Sequence, residues 1–402
     1  MNITDVDDKT IRNSRSEQIP LKQYTETYTR YFFEDLESLN CLKAHRYPRA
    51  TDHIEDMADT VSVLLEKGHA YRGKDGSIYF DISSFREYGK LANLDISGLK
   101  PEARVKQDEY DKDSVSDFAL WKAWDEDDGN VFWDTSLGRG RPGWHIECSV
   151  MSSKYLGNPF DIHCGGIDLV FPHHENEIAQ TEAATGRPFV NYWLHNEHLL
   201  VDNRKMSKSA GNFYTLRELV AKGISPVSLR YALISVHYRQ QLNFTLENTE
   251  ASSRAVERIR NFMTDLERAG EDDSAEPVDE LLARARSEFE SALDNDFNIS
   301  EALGTVFNLI KEINKRTLSH QGKEDVSSFM QSIDSVLGIL ESSREGSGEN
   351  GVDEQEIERR IQEREKARQQ KDFKQADAIR DELAEKGVIL EDSPQGTSWK
   401  RG

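Results

Sequence analysis

The chain has 402 residues, 73 of them Asp or Glu against 51 Lys or Arg, for a net charge of −22. Hydrophobic residues make up 37%, no apolar run is long enough to cross a bilayer, and the start carries no signal-peptide pattern, which argues against a membrane-embedded or exported protein. Three cysteines, an odd number, argue against a disulfide framework and for a reducing, cytoplasmic compartment. The length allows two or three domains. The acidic balance argues against non-specific nucleic-acid binding and is compatible with a salty habitat.

In chain order, Ile3 and Val6 predict the tail of a strand, and Asp5, Asp7 and Asp8 open a helix. Tyr24, Tyr28, Tyr31, Phe32, Leu36 and Leu39 recur at helical spacing between Pro20 and Leu42. His53 to Lys67 is a second amphipathic helix, with Ile54, Met57, Ala58, Val61, Leu64 and Leu65 inward and Gly68 as its stop. Asp75-Gly76 predicts a hairpin between Ala70–Arg72 and Ser77–Asp81. Residues 82 to 140 are polar with short apolar clusters and are expected to form an irregular inserted module. Ser149 to Tyr155 reads as helix, and Ile167, Leu169, Val170 and Phe171 as a buried strand leading into a helix that starts at Pro172. Pro188–Leu194 and His198–Val201 are strand-like. From Leu229 the chain turns helical, with predicted helices over 247–268, 278–293, 300–318 and 325–341. A Gly- and Asn-containing linker leads to a charged helical stretch, Glu354 to Glu385, broken near Asp372, and then a small hairpin around Val388–Leu390 and Trp399.

Two stretches carry candidate chemistry. Cys148, His173 and Glu177 offer a thiolate, an imidazole and a carboxylate, all accepted zinc ligands, and three protein ligands leave a position for something else. On a helix His173 and Glu177, four apart, share a face. The alternative is that these are ordinary core and surface residues. Lys205, Ser207, Lys208 and Ser209 interleave two cations and two hydroxyls in a loop suited to phosphates, or form a solvated turn.

Lys205-Met206-Ser207-Lys208-Ser209 followed by Gly211-Asn212 resembles the signature of the class I aminoacyl-tRNA synthetases. Gly143-Trp144-His145-Ile146-Glu147-Cys148-Ser149, Phe171-Pro172-His173-His174-Glu175-Asn176-Glu177, the opening Asn2-Ile3-Thr4-Asp5 and the closing Gly387–Trp399 are similar to cysteinyl-tRNA synthetases. The resemblance runs from residue 2 to residue 401. It implies an α/β Rossmann-type catalytic domain, incomplete at its N-terminus, with an inserted module, then an α-helical bundle and a small anticodon-binding module. The boundaries expected are residues 1–50 and 141–200 for the two parts of the catalytic domain, 51–140 for the insertion and 201–230 for the signature loop and connector. The bundle would span 231–342, the linker 343–353 and the anticodon module 354–402.

The same resemblance implies ATP-dependent activation of L-cysteine and its transfer to tRNA(Cys), with Mg²⁺ accompanying ATP and one Zn²⁺ per monomeric chain. In the family two Cys, one His and one Glu hold the zinc, and Cys148, His173 and Glu177 match three of them. Lys208 matches the lysine that contacts ATP, with Lys205, Ser207 and Ser209 beside it; Trp144 closes over the substrate, and Thr4 and Asp168 hold its amino group. Zinc suits the task because cysteine and serine are nearly the same size, so shape separates them poorly, whereas a thiolate binds zinc far better than an alcohol does.

One departure is expected to matter. The family carries a segment ahead of Asn2 with the first zinc Cys and a His-Ile-Gly-His signature, and no His-x-Gly-His string occurs in this chain. The expectation is a chain that lacks its start, with an upstream-extended form active and the 402-residue form inactive in cysteine-dependent pyrophosphate exchange. The alternatives are a non-catalytic tRNA-binding remnant and a ligase joining cysteine to an amino-sugar, against which the 354–402 tail speaks. Candidate tRNA-facing cations are Arg139, Arg141, Arg230, Arg239, Arg359, Arg360, Arg364 and Arg368, each of which could instead pair with nearby acids.

Overall fold

The computed structural model describes residues 1–94, 117–207, 211–340, 354–370, 372–385, 388–393 and 396–401. They fall into two compact units, Met1–Leu340 and Glu341–Gly402.

The first core of the larger unit forms around helix Ile54–Glu66. Its inward stripe, Met57, Ala58, Val61 and Leu64, is fully buried, and each of the larger side chains stabilises the fold by roughly 1.5–3 kcal/mol. The stripe packs with a five-stranded antiparallel sheet, in the order 70–72, 78–80, 118–123, 138–142, 133–135. The hairpin signalled by Asp75-Gly76 is present, with Ala70 opposite Phe80. The expectation of an irregular segment over 82–140 is corrected for 117–140: Phe118–Ala123, Trp133–Thr135 and Gly138–Pro142 are regular strands. Phe118, Leu120 and Trp121 are buried there, so short apolar clusters that looked isolated in sequence are sheet faces.

That sheet seats two helices, Trp144–Leu156 and Glu175–Thr185. Ile146, Val150 and Met151 of one and Ala179 and Ala183 of the other reach the same core. Gly143 caps the first helix where a Cβ would collide with the carbonyl of Ala119, so glycine is needed for the helix to start against the strand. Strands Phe160–Gly166 and Val190–Asn196 pair in parallel, with helix Glu175–Thr185 between them in sequence. Parallel pairing requires such a crossover, and the resulting β-α-β unit is the repeat of nucleotide-binding α/β domains.

Ile167–Phe171 is not the expected strand. Residues 167–169 form one tight turn and 170–174 a second, kinked at Phe171, and Ile167 stays 38% exposed. Near the start, Ile3 makes only an isolated bridge to Arg49, and the acid-rich start of the first helix is as read: Asp7 caps Asp8–Ser16 through a reciprocal pair of bonds with Thr10.

Leu199–Val201 pairs in parallel with Leu242–Phe244 and antiparallel with Arg204–Lys205. Four long helices follow, Leu246–Arg268, Asp279–Asp294, Ile299–Ile313 and His320–Leu337, around Ile259, Phe262, Phe289, Val306, Ile310 and Phe329. The third ends five residues before the expected 318, and the fourth begins at His320 instead of 325, where the Ser319 hydroxyl accepts from the Gly322 N–H. In the small unit, helices Glu354–Gln369 and Phe373–Glu385 and hairpin 388–393/396–401 bury Ile357, Ile361, Ile379, Leu383 and Val388. The expected linker 343–353 lies outside the described residues, as does the side chain of Trp399.

Candidate active site

The two helices that share the sheet also share a polar seam. Helix Glu175–Thr185 buries Glu175, Asn176, Glu177, Gln180 and Thr181, and helix Trp144–Leu156 buries His145, Glu147 and Ser149. A helix whose buried face is polar stabilises a fold poorly unless every group is paired, so such a seam marks chemistry.

At one end of the seam Cys148, His173 and Glu177 converge: a sulfur, an imidazole nitrogen and a carboxylate oxygen all lie within 4.8 Å of one another. His173 Nε2 is 2.9 Å from Glu177 Oε1, yet Oε1, fully buried, has no hydrogen-bond partner. The approach is not directed along a hydrogen bond. An imidazole nitrogen, a carboxylate oxygen and a thiol sulfur this close together fit a borderline-soft divalent cation. The other nitrogen of His173 is held: His145 Nδ1 lies 2.7 Å from its Nδ1, and the Trp144 ring stacks on it at 4.2 Å. Such outer partners set the orientation of a ligating imidazole.

Electrostatics agree. Burial pushes the Cys148 thiol well up, helped by the nearby Glu177 and Glu147 carboxylates and opposed by the Asn2 amide, whose Nδ2 donates to Sγ over 3.3 Å. A bound cation would reverse this and draw out the thiolate. Burial also works to raise Glu177, but the charge of His173 and the hydrogen bond from His163 overcome it and hold the carboxyl well below the usual range. His145 is pushed well down, by burial first and by His173 second, and is neutral at physiological pH.

A second group, which the spacing did not single out, is a histidine cluster. His163 Nε2 lies 2.8 Å from Glu177 Oε2, and His174 Nδ1 lies 2.8 Å from His195 Nε2. Trp193 stacks on His163 at 4.7 Å and stands parallel to His195 at 6.0 Å. Burial drops His174 to about 3. Gly165 makes room: a Cβ there would sit 2.6 Å from the His174 ring. The signal was present as histidines recurring on one strand pair and one helix start, but only the parallel register brings His163 and His195 to the same side.

Trp144 is the wall against His173. Thr4 lies beside Glu147, a buried carboxyl raised well above its usual value by burial and by Asp5 and Asp7. Asp168 is exposed on the 167–169 turn. Cys164, which could in principle have supplied a further sulfur, is exposed on its strand and belongs to neither metal-binding group among the described residues. Cys41 lies beside Arg230, with Nη1 3.8 Å from Sγ.

The phosphate-type loop is a separate element. Lys205 is exposed at the end of its strand, and Lys208 and Ser209 lie outside the described residues. The Ser207 N–H donates to Asn212 Oδ1 over 2.9 Å, while Asn212 Nδ2 donates to the carbonyls of Val201 and Lys205, each at 3.2 Å. Asn212, buried to 4%, thus closes the base of the loop.

The candidate tRNA-facing cations are largely committed within the fold. Arg141 is buried in an ion pair with Asp128, at 2.7 Å, and in another with Asp8; Arg139 pairs with Asp134 and Arg239 with Asp296. Arg230 donates to the carbonyls of Leu39 and Leu337, and Arg359 and Arg360 pair with Glu363. Arg364 reaches the Thr397 hydroxyl at 3.2 Å, and Arg368 lies on helix Glu354–Gln369.

Residues 1–254 match the family described as tRNA synthetases class I (C) catalytic domain. A methionyl-tRNA synthetase from Mycobacterium tuberculosis, solved in complex with methionyl-adenylate, superposes with a TM-score of 0.55 at 14% identity, covering 83% of this chain and 78% of that one. That likeness speaks to the fold alone, and with the match it defines a class I aminoacyl-tRNA synthetase. Residues 288–341 match the DALR domain and 354–399 the cysteinyl-tRNA ligase anticodon binding domain. A protein named cysteine–tRNA ligase from Brachyspira hyodysenteriae is 48% identical over 408 residues, covering all of this chain and 86% of that protein. Another of that name, from Chlamydia muridarum, is 44% identical over 416 residues with the same coverage. The chain belongs to the cysteinyl-tRNA synthetase family. Among the described residues no helix is long and apolar enough to cross a membrane.

Proposed function

We propose that this chain is a cysteine–tRNA ligase: it activates L-cysteine with ATP, accompanied by Mg²⁺, and transfers it to tRNA(Cys). Cys148, His173 and Glu177 would hold one Zn²⁺, and the observation that carries the reading is their convergence within 4.8 Å beside an unpartnered Glu177 oxygen. The cation supplies soft Lewis acidity, which separates a thiol from an alcohol of the same shape.

The protein's own groups do the rest. His145 keeps His173 oriented, and Trp144, stacked on that ring, closes one wall over the substrate. Thr4, beside Glu147, and the exposed Asp168 carboxylate receive the substrate ammonium. No protein nucleophile is needed: the amino-acid carboxylate attacks the α-phosphate, pyrophosphate leaves, and the tRNA ribose hydroxyl then attacks the adenylate carbonyl. Lys205, Ser207, Lys208 and Ser209 neutralise and orient the phosphates, so positioning and charge stabilisation carry the rate. Residues 1–50 and 141–200 would form the catalytic halves around the 51–140 module, 201–230 the loop and connector, 231–342 the tRNA-contacting bundle and 354–402 the anticodon reader. The protein acts as a monomer in the cytoplasm.

The test is spectroscopic. With Co²⁺ in place of Zn²⁺, titration with L-cysteine should intensify the sulfur-to-metal charge-transfer band beyond that of Cys148 alone, and L-serine should not. No band, or equal responses to the two amino acids, overturns the proposal. Charging of tRNA(Cys) is the confirming activity.

A further inference from the structure

The phosphate-type loop continues directly into a short helix, Leu216–Ala221, started by a reciprocal Thr215–Glu218 cap. Six residues make a poor independent helix. Its apolar support is one small cluster in which Leu219 is buried and Leu216 and Met206 pack alongside. Leu39, just beyond the end of helix Leu21–Ser38, belongs to that cluster too.

A polar contact joins the same two helices. Arg217 Nη2 donates to Glu34 Oε2 at 2.6 Å and to the Tyr31 carbonyl at 3.2 Å. Its Nη1 lies 3.2 Å from Asp35 Oδ1, and the guanidinium stacks over the Tyr31 ring at 4.2 Å. Four contacts from one side chain bridge residues more than 180 positions apart. Helix Leu21–Ser38 is itself fixed just past this same end, because Arg230 binds the Leu39 carbonyl and the Asn40 amide donates to the Gly338 carbonyl.

We propose that Arg217 is a positioning residue for ATP: its guanidinium latches helix Leu216–Ala221 to helix Leu21–Ser38 and, together with the strand pairing of Arg204–Lys205 and the Asn212 bonds, sets where the flanks of the phosphate-type loop, Lys205 to Ser207 and Asn212, sit. Asn212 ties the loop base to the segment leading into the Leu216–Ala221 helix, so displacement of that helix carries Lys205 and Ser207 with it. The partners are all part-exposed, with 43% of the Arg217 side chain accessible, so the latch is weak, salt-screened and reversible. A loop that must admit ATP and release pyrophosphate needs a hold of that kind.

This rests on the loop handling phosphates, as proposed above, but the latch can be read without it. Amide hydrogen exchange over residues 201–207 and 212–222 should quicken about fivefold in Arg217→Ala, the scale of a few exposed charge contacts, with 144–185 unchanged. Arg217→Lys should be intermediate, since it keeps the charge and loses the fork. Arg217→Glu combined with Glu34→Arg and Asp35→Arg should restore protection in part, since the swap remakes the ion pairs and not the contacts to Tyr31. Equilibrium titration with ATP should show binding about fivefold weaker in Arg217→Ala and L-cysteine binding unchanged. Unchanged amide exchange in Arg217→Ala, or quickening spread equally into 144–185, overturns the latch. Quickened amide exchange with unaltered ATP affinity leaves the latch and overturns its role in positioning ATP.

Discussion

The seam between helices Trp144–Leu156 and Glu175–Thr185 and the segment 201–222 serve opposite needs. In the first, Glu175, Asn176, Glu177 and Gln180 are fully buried and each ring nitrogen of His173 faces a partner. In the second, Lys205 is exposed at a sheet edge, and beyond the short strand pairing, the buried Asn212 and one small apolar cluster, the described residues are tied by exposed ion pairs. Telling sulfur from oxygen requires donors fixed before the substrate arrives, because any relaxation would let the wrong atom in. Handling a triphosphate requires groups that approach and withdraw. Rigidity and looseness are thus distributed by task, and each side of the contrast can be attacked separately.

The largest effect should come from the donors. Cys148→Ser and Glu177→Gln should each retain metal more than about 100-fold less tightly, exceeding what supporting partners contribute. Metal analysis after dialysis against a graded chelator checks this, with circular dichroism to show that the helices persist. Equal retention by either variant would mean that the seam is structural and the contrast misplaced. Next come the supporting imidazoles: His145→Ala and His163→Ala should each weaken retention about 10–100-fold, read by the same competition.

A third test uses pH on the metal-free protein. His174 sits near 3 when folded against 6.5 ordinarily, because burial disfavours its charged form. Between those values the unfolded chain binds a proton that the folded one refuses. The stability associated with this histidine is therefore complete above pH 6.5 and is lost as pH falls towards 3, at no more than about 1.4 kcal/mol per pH unit. Urea midpoints should fall with acidification more steeply for wild type than for His174→Gln; identical slopes would show that the ring is not desolvated. The smallest effect belongs to the loop base. Asn212→Ala removes three hydrogen bonds and should raise tryptic cleavage after Lys205 about fivefold, without changing metal retention.

Much of this contrast was written in the chain. The apolar stripes of helices Ile54–Glu66 and Leu246–Arg268 and the Asp75-Gly76 hairpin are local patterns, and local patterns survive folding. The failures were tertiary. Ile167–Phe171 looked like a strand because a short apolar run does not declare its geometry; the pairing belongs to the residues just before it, and the run itself turns. The clusters around Phe118 and Trp133 read as irregular because three short strands are legible only as one sheet. Arg141 looked like a surface cation for tRNA and is buried between two aspartates, Asp8 and Asp128, the first of them 133 positions away.

What the sequence alone determined is the kind of chemistry: which donors exist, which loop carries cations and hydroxyls, and which stripes must be buried, because residue type and period follow from covalent structure. What only the tertiary structure decided is which of those groups face one another. The pairing of His163 with Glu177, of Asn212 with the loop it closes and of Arg217 with a helix from the opposite end of the catalytic region follows from strand register and helix packing. Register and packing are settled by the whole core at once, so no window of sequence contains them.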